Sequence, residues 1–127
     1  MLKKKLPFLF LPLLLAGCTA TFTNLTPKTQ TRNAENLYPV EVELSTKQQT
    51  MRWDSIKPQI VVGDEFFPMH PTALMSNRWE GLVPVSAHAN EATYHYKFDF
   101  LYNAFGPPRP DSASSPEYKL RIQEEKK

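Results

Sequence analysis

The sequence predicts an all-β protein, a small immunoglobulin-like β-sandwich, with a small antiparallel β-barrel as the alternative. Three observations carry this. Between Thr93 and Asn103 the aromatic residues Tyr94, Tyr96, Phe98, Phe100 and Tyr102 take every second position. At helical spacing these rings would scatter around a cylinder, whereas on a strand they form one continuous stripe. Six or seven short segments of strand character follow one another at intervals of roughly 8 to 12 residues, separated by Gly, Pro and Asp turn signals. After residue 18 no stretch carries the three-to-four spacing of an amphipathic helix.

The head of the chain is a separate unit. Lys3, Lys4 and Lys5 precede an apolar run from Leu6 to Ala16. That run is too short to cross a bilayer, which takes ~20 apolar residues. A positive start, a short apolar middle and a small-residue end describe a secretory signal peptide. The quartet Leu15-Ala16-Gly17-Cys18 then resembles the lipobox of bacterial lipoproteins at all four positions. The resemblance, which covers only about the first 20 residues, implies cleavage between Gly17 and Cys18, a diacylglyceryl group on the sulfur of Cys18, and acylation of the new amino terminus. In that family Asp directly after the cysteine goes with retention at the inner membrane. Here Thr19 stands there, which, if the host is Gram-negative, implies a lipid-anchored place at the outer membrane, in either leaflet. The physical purpose is anchorage: each buried methylene contributes ~0.8 kcal/mol, and two or more acyl chains hold a protein stably where one holds it marginally.

Cleavage would leave 110 residues with a different charge. The three head lysines leave the fifteen basic residues and no acid leaves the thirteen, so the balance becomes −1. No basic patch remains to argue for nucleic acid. Cys18 is the only cysteine, so the domain folds in an oxidising compartment without a disulfide, on its core alone.

Residues 18–34 read as the lipidated cysteine and a polar tether, because six threonines and few apolar residues make a poor core segment. A first edge strand at Phe22–Leu25 is the competing reading. The sandwich is expected over 35–122. In YPVEVEL, Tyr38, Val40, Val42 and Leu44 share one face and Glu41 and Glu43 the other, which marks a half-buried strand. MRWDSIKPQIVV carries Trp53, the expected core tryptophan between the sheets, and ends at the turn signal Gly63-Asp64. Pro58 marks a strand start or an edge, since it cannot donate to a ladder. EFFPMHPT is extended, its residues pushed out of the α region by the prolines that follow them. RWEGLVPV places Trp79, Val83 and Val85 on one face, and the aromatic strand over 93–103 reads as central. Gly106–Pro116, with four prolines, reads as a loop, and its length favours the sandwich over the barrel. EYKLRI closes the domain and 123–127 is a charged tail.

Little in this pattern points to catalysis. His70, His88 and His95 lie on three segments with no ligand spacing, and a tetrahedral metal site needs three or four convergent donors. No G-x-S-x-G turn occurs and no base has an orienting partner. The expectation is therefore a non-enzyme with no cofactor and no metal. Its partners would be the membrane, through Cys18, and another envelope protein. Two stiff apolar segments are candidate partner-binding sites: Phe66, Phe67, Met69 and His70 beside Pro68 and Pro71, and Phe105 with Arg109 in AFGPPRP. The alternative is glycan or peptidoglycan binding through exposed aromatics, with Trp79 and Tyr102 as candidate platforms.

Overall fold

The computed structural model describes residues 20–124. The signal segment, Gly17 and the lipobox cysteine lie outside the described residues, as do the last three of the tail. In chain order the strands are β1 (Ala20–Asn24), β2 (Thr29–Thr31), β3 (Leu37–Thr46), β4 (Met51–Val62), β5 (Glu65–Pro68), β6 (His70–Pro71), β7 (Arg78–Pro84), β8 (Glu91–Tyr102), β9 (Arg109–Ser114) and β10 (Tyr118–Gln123). One sheet runs β1-β3-β7-β6. The other runs β2-β10-β8-β4-β5, with β9 also paired to β8. All pairs are antiparallel except the short β2–β10 pair. The two sheets are not closed into a barrel. In immunoglobulin terms the first has the order of strands A, B, E and D, and the second contains G, F and C.

The core is what the alternation demanded. Tyr38, Val40, Val42 and Leu44 of β3, and Trp79 and Val83 of β7, face Ile60 of β4, Tyr94, Tyr96, Phe98 and Phe100 of β8, and Leu120 and Ile122 of β10, all buried. Phe98 sits at the centre. The ring of Phe22 meets it edge-on at 5.1 Å and that of Trp79 at 5.0 Å. Fully buried aromatics of this size remove ~150–250 Å² each from water, which lets a disulfide-free domain of this length hold together.

Tyrosine hydroxyls in such a core need partners, and the start of the chain supplies them. Asn24 donates from Nδ2 to the Tyr94 hydroxyl at 2.8 Å and accepts from the Tyr96 hydroxyl on Oδ1 at 2.7 Å. Thr26, where the chain leaves the first sheet, touches both sheets: its Oγ1 accepts from the Glu41 amide of β3 at 2.8 Å and lies 3.3 Å from the Tyr96 hydroxyl of β8. Burial pushes the Tyr96 hydroxyl pKa far up. At the far end Arg32 ties separate segments together, donating to Glu124, to Asn36 and to the backbone carbonyls of Ser86 and Ala89.

Three expectations are corrected. Residues 18–34 are not a tether throughout, since β1 joins the first sheet over Ala20–Asn24 and β2 the second over Thr29–Thr31. Thin local burial is outweighed by an edge pairing in which Phe22 reaches Phe98. Trp53 is not the tryptophan between the sheets. Between Arg52 and Lys57 the register of β4 against β8 shifts, so four residues of β4 stand against Phe100 alone. Trp53 falls among these unpaired residues and leaves the inner-outer alternation, 41% exposed and stacked at 6.3 Å over Trp79, which fills the core position. Finally, Gly106–Pro116 is not all loop, because Arg109–Ser114 pairs with β8 as β9. Ser115 then forms a second bulge. It is buried, it donates its amide to the Tyr96 carbonyl at 2.9 Å, and its Oγ accepts from the Tyr96 amide at 2.8 Å.

Candidate functional site

The outer face of the β1-β3-β7-β6 sheet carries the most developed surface site. Solvent faces of antiparallel sheets are ordinarily polar. Here the β3–β7 register sets Leu37 opposite Pro84 and Pro39 opposite Leu82, then Glu41 opposite Glu80 and Glu43 opposite Arg78. One half of the face is therefore apolar and the other charged. The crossover from β1 to β2 runs beside the β3 edge of this face, the Leu25 amide donating to the Glu41 carbonyl at 2.9 Å, and makes a wall. Between wall and sheet lies a groove of about 610 Å³ lined by Leu25, Pro27, Pro39 and Leu82 and closed at its charged end by Glu41, Glu80 and His70. A second hollow of about 290 Å³ shares His70, Gly81 and Leu82 with it and adds Leu37, Phe67, Pro68 and Pro84.

The charged end is a network around one hydroxyl. Thr72 Oγ1 lies 3.2 Å from Glu41 Oε2 and 3.2 Å from Glu80 Oε1, and His70 Nε2 lies 3.6 Å from Glu80 Oε2. A hydroxyl has one proton, so Thr72 donates to only one of these carboxylates at a time. Opposed like charges on a sheet are mutually unfavourable, which leaves this end suited to a cationic neighbour.

The predicted partner-binding residues do not form one site. Phe67 and His70 line the groove system. Met69 is buried at 8% exposure, its amide held by the Pro58 carbonyl at 3.2 Å, so it is corrected from a surface contact to a core residue. Phe66 is 56% exposed but lies across from Val61 in the other sheet. Phe105 and Arg109 stand at the opposite end of the sandwich, in and just after the β8–β9 connection.

As a sugar platform Trp79 is corrected outright, because the residue is only 6% exposed and its ring meets that of Phe98 edge-on in the core. Tyr102 is half-buried at the end of β8 and packs against the core. Another groove, of about 850 Å³, lies on the outer face of the second sheet between the β4 bulge and β9, lined by Ile56, Lys57, Asp99, Leu101 and Pro110. Lys97 and Asp99 pair beside it at 2.8 Å. Among the described residues no group of three or more His, Cys, Asp or Glu is placed to hold a metal ion.

Sequence reading missed the apolar groove because Leu25, Leu37 and Leu82 are separated by 12 and 45 positions and meet only through strand pairing. The one available signal was Leu82, an apolar residue on the outer side of RWEGLVPV. No protein-family model, no curated protein and no solved structure matches this chain.

Proposed function

We propose that the protein is a lipid-anchored lipoprotein of the cell envelope, held at the outer membrane through Cys18, that works without catalysis by presenting its sandwich to another envelope protein. The observation that carries the reading is the groove and adjoining hollow over β3 and β7, where Leu25 of the crossover and Leu37 and Leu82 of the sheet face remain 36–48% exposed at a surface that water would otherwise favour as polar. A partner suited to it presents an apolar side chain to Leu82 and Pro39 and a lysine or arginine to the Glu41–Glu80 end. Confinement at a membrane raises the effective concentration of the domain toward such a partner, so a modest interface suffices.

The test is site-specific photo-cross-linking in intact cells. A benzophenone amino acid at Leu82 is expected to give one discrete adduct of higher mass, and the same probe at Lys119, on the outer face of the other sheet, none. Leu37→Lys should weaken the Leu82 adduct while leaving the fold intact. A protein that stays monomeric in mild detergent and gives no adduct from Leu82 overturns the reading.

A further inference from the structure

The strand register places the beginning of the sandwich at a particular pole. Ala20, the first residue of β1, pairs with Thr46, the last of β3. The β3–β4 connection over 47–50 follows at once. The β6–β7 connection over 72–77 lies at the same end, since the Leu44 amide donates to the Asn77 carbonyl at 3.0 Å and Arg78 pairs with Glu43. So does the β8–β9 connection over 103–108, where the Asn103 amide donates to the Thr50 carbonyl at 2.8 Å. Cys18 precedes Ala20 by two residues, and two residues span at most about 7 Å. Whatever holds Cys18 therefore lies beside these three loops.

The loops are apolar at their tips. Leu74 and Phe105 are fully exposed, at 104% and 103%, and Met75 and Trp53 are partly so, at 38% and 41%. Leu74 adopts a positive φ of 65°, uncommon for a branched side chain, and Gly106 at φ 85° turns the chain directly behind Phe105. Neither loop residue packs on the core. Lys47, Arg52 and Arg109 surround the pole, and none of them forms an ion pair among the described residues. The acid Asp54 stands in the nearby bulge, while Glu43 is paired to Arg78 at 3.4 Å.

We propose that this pole is a lipid-docking surface: Leu74 and Phe105, backed by Met75 and Trp53, enter the boundary between headgroups and acyl chains of the bilayer that holds Cys18, and Lys47, Arg52 and Arg109 meet anionic headgroups. The proposal rests on the reading of Cys18 as lipidated, which supplies the nearness. Shallow insertion of apolar side chains with basic residues around them is how proteins lie on a membrane without crossing it. The anchor with two residues of slack gives the domain no room to stand away, and the inserted loops fix its orientation. The Leu37–Pro84 end of the partner groove, at the far end of β3 and β7, then points away from the lipid.

The experiment uses the mature protein in vesicles of phosphatidylethanolamine and phosphatidylglycerol. With Cys18 acylated, Leu74→Cys and Phe105→Cys each carry the sole free thiol, as does His88→Cys in the β7–β8 connection at the opposite pole. An environment-sensitive fluorophore is attached to each. Labels at 74 and 105 are expected to shift to the blue and to be quenched by lipids brominated on their acyl chains, with the label at 88 unchanged. Separately, Cys18→Ser protein without lipid should bind the same vesicles weakly, and Leu74→Asp with Phe105→Asp should lower the bound fraction at least severalfold at an unchanged melting temperature.

Intact mass decides the anchor on its own. An unmodified Cys18 sinks the lipoprotein reading, and vesicle binding by the Cys18→Ser protein then decides the pole. An acylated Cys18 with labels at 74 and 105 as solvent-exposed as that at 88 overturns the docking surface. A blue shift without bromine quenching also overturns it, since a protein or a second copy would then cover the loops.

Discussion

Gly81→Ala probes how closely the two sheets interlock. A Cβ at Gly81 would stand 2.8 Å from Ile60 Cδ1, 3.3 Å from the Pro68 carbonyl oxygen and 3.4 Å from Met69 Cγ. Ile60 is fully buried and cannot swing into solvent, and the carbonyl belongs to the backbone that carries the chain from β5 to β6. Overpacking of this kind costs about 1–3 kcal/mol. Against it, replacing glycine restricts the unfolded chain and returns about 0.4–1 kcal/mol, because Gly81 does not hold a positive φ. A net loss of ~1.5 kcal/mol lowers Tm by roughly 6–12 °C for a domain of about 100 residues. Urea and thermal unfolding measure it, with the denaturant slope expected unchanged. Ile60→Val removes the atom that collides. Alone it costs about 0.5–1.5 kcal/mol, but in the Gly81→Ala background it should cost nothing or restore stability, a coupling of at least ~0.5 kcal/mol. A neutral Gly81→Ala, or two losses that simply add, would refute the close approach of β7 to Ile60.

Two further outcomes concern the tyrosine network and the second bulge. Because burial raises the Tyr96 pKa, the unfolded chain ionises near pH 10 while the folded one holds its proton. Stability is thus full below pH 10 and falls above it by up to about 1.4 kcal/mol per pH unit. Tyr118, also raised by burial, adds in the same direction; urea midpoints between pH 9 and 11 should decline steeply in the native protein and less so in Tyr96→Phe. Ser115→Ala strips the Tyr96 amide of its acceptor in a buried place and should cost about 1–3 kcal/mol, whereas Ser112→Ala on exposed β9 should stay within about 0.5 kcal/mol, both read by chemical denaturation.

Much of the body was legible one strand at a time. The alternation in Tyr38–Leu44 and Tyr94–Tyr102 assigned each side chain to the inner or outer face without knowledge of any neighbour, because a pleated strand repeats every two residues. The polar outer residues Glu41, Glu43, Lys97 and Asp99 were placed by the same rule. The rule failed where a residue count changed. Three extra residues between Arg52 and Lys57 lift Trp53 out of the ladder, and nothing in MRWDSIKPQIVV shows where a ladder will slip, since a bulge is a property of two strands. Short polar segments were misread for a related reason. TQT and RPDSAS have little apolar character of their own, and they become β2 and β9 because β10 and β8 offer them paired backbone.

By itself the sequence determined the all-β class, the aromatic strand at the centre of its sheet and the faces of the long strands, since these follow from local periodicity and from the burial that rings require. It also carries the lipobox resemblance, a matter of covalent order. Tertiary structure alone decided that Trp79 rather than Trp53 fills the core, that Asn24 satisfies two buried tyrosines 70 and 72 positions away, and that Ala20 begins at the pole bearing Leu74 and Phe105. Each of these depends on which strands pair and in what register, and hydrogen bonds between distant segments set that choice rather than any preference of the residues concerned.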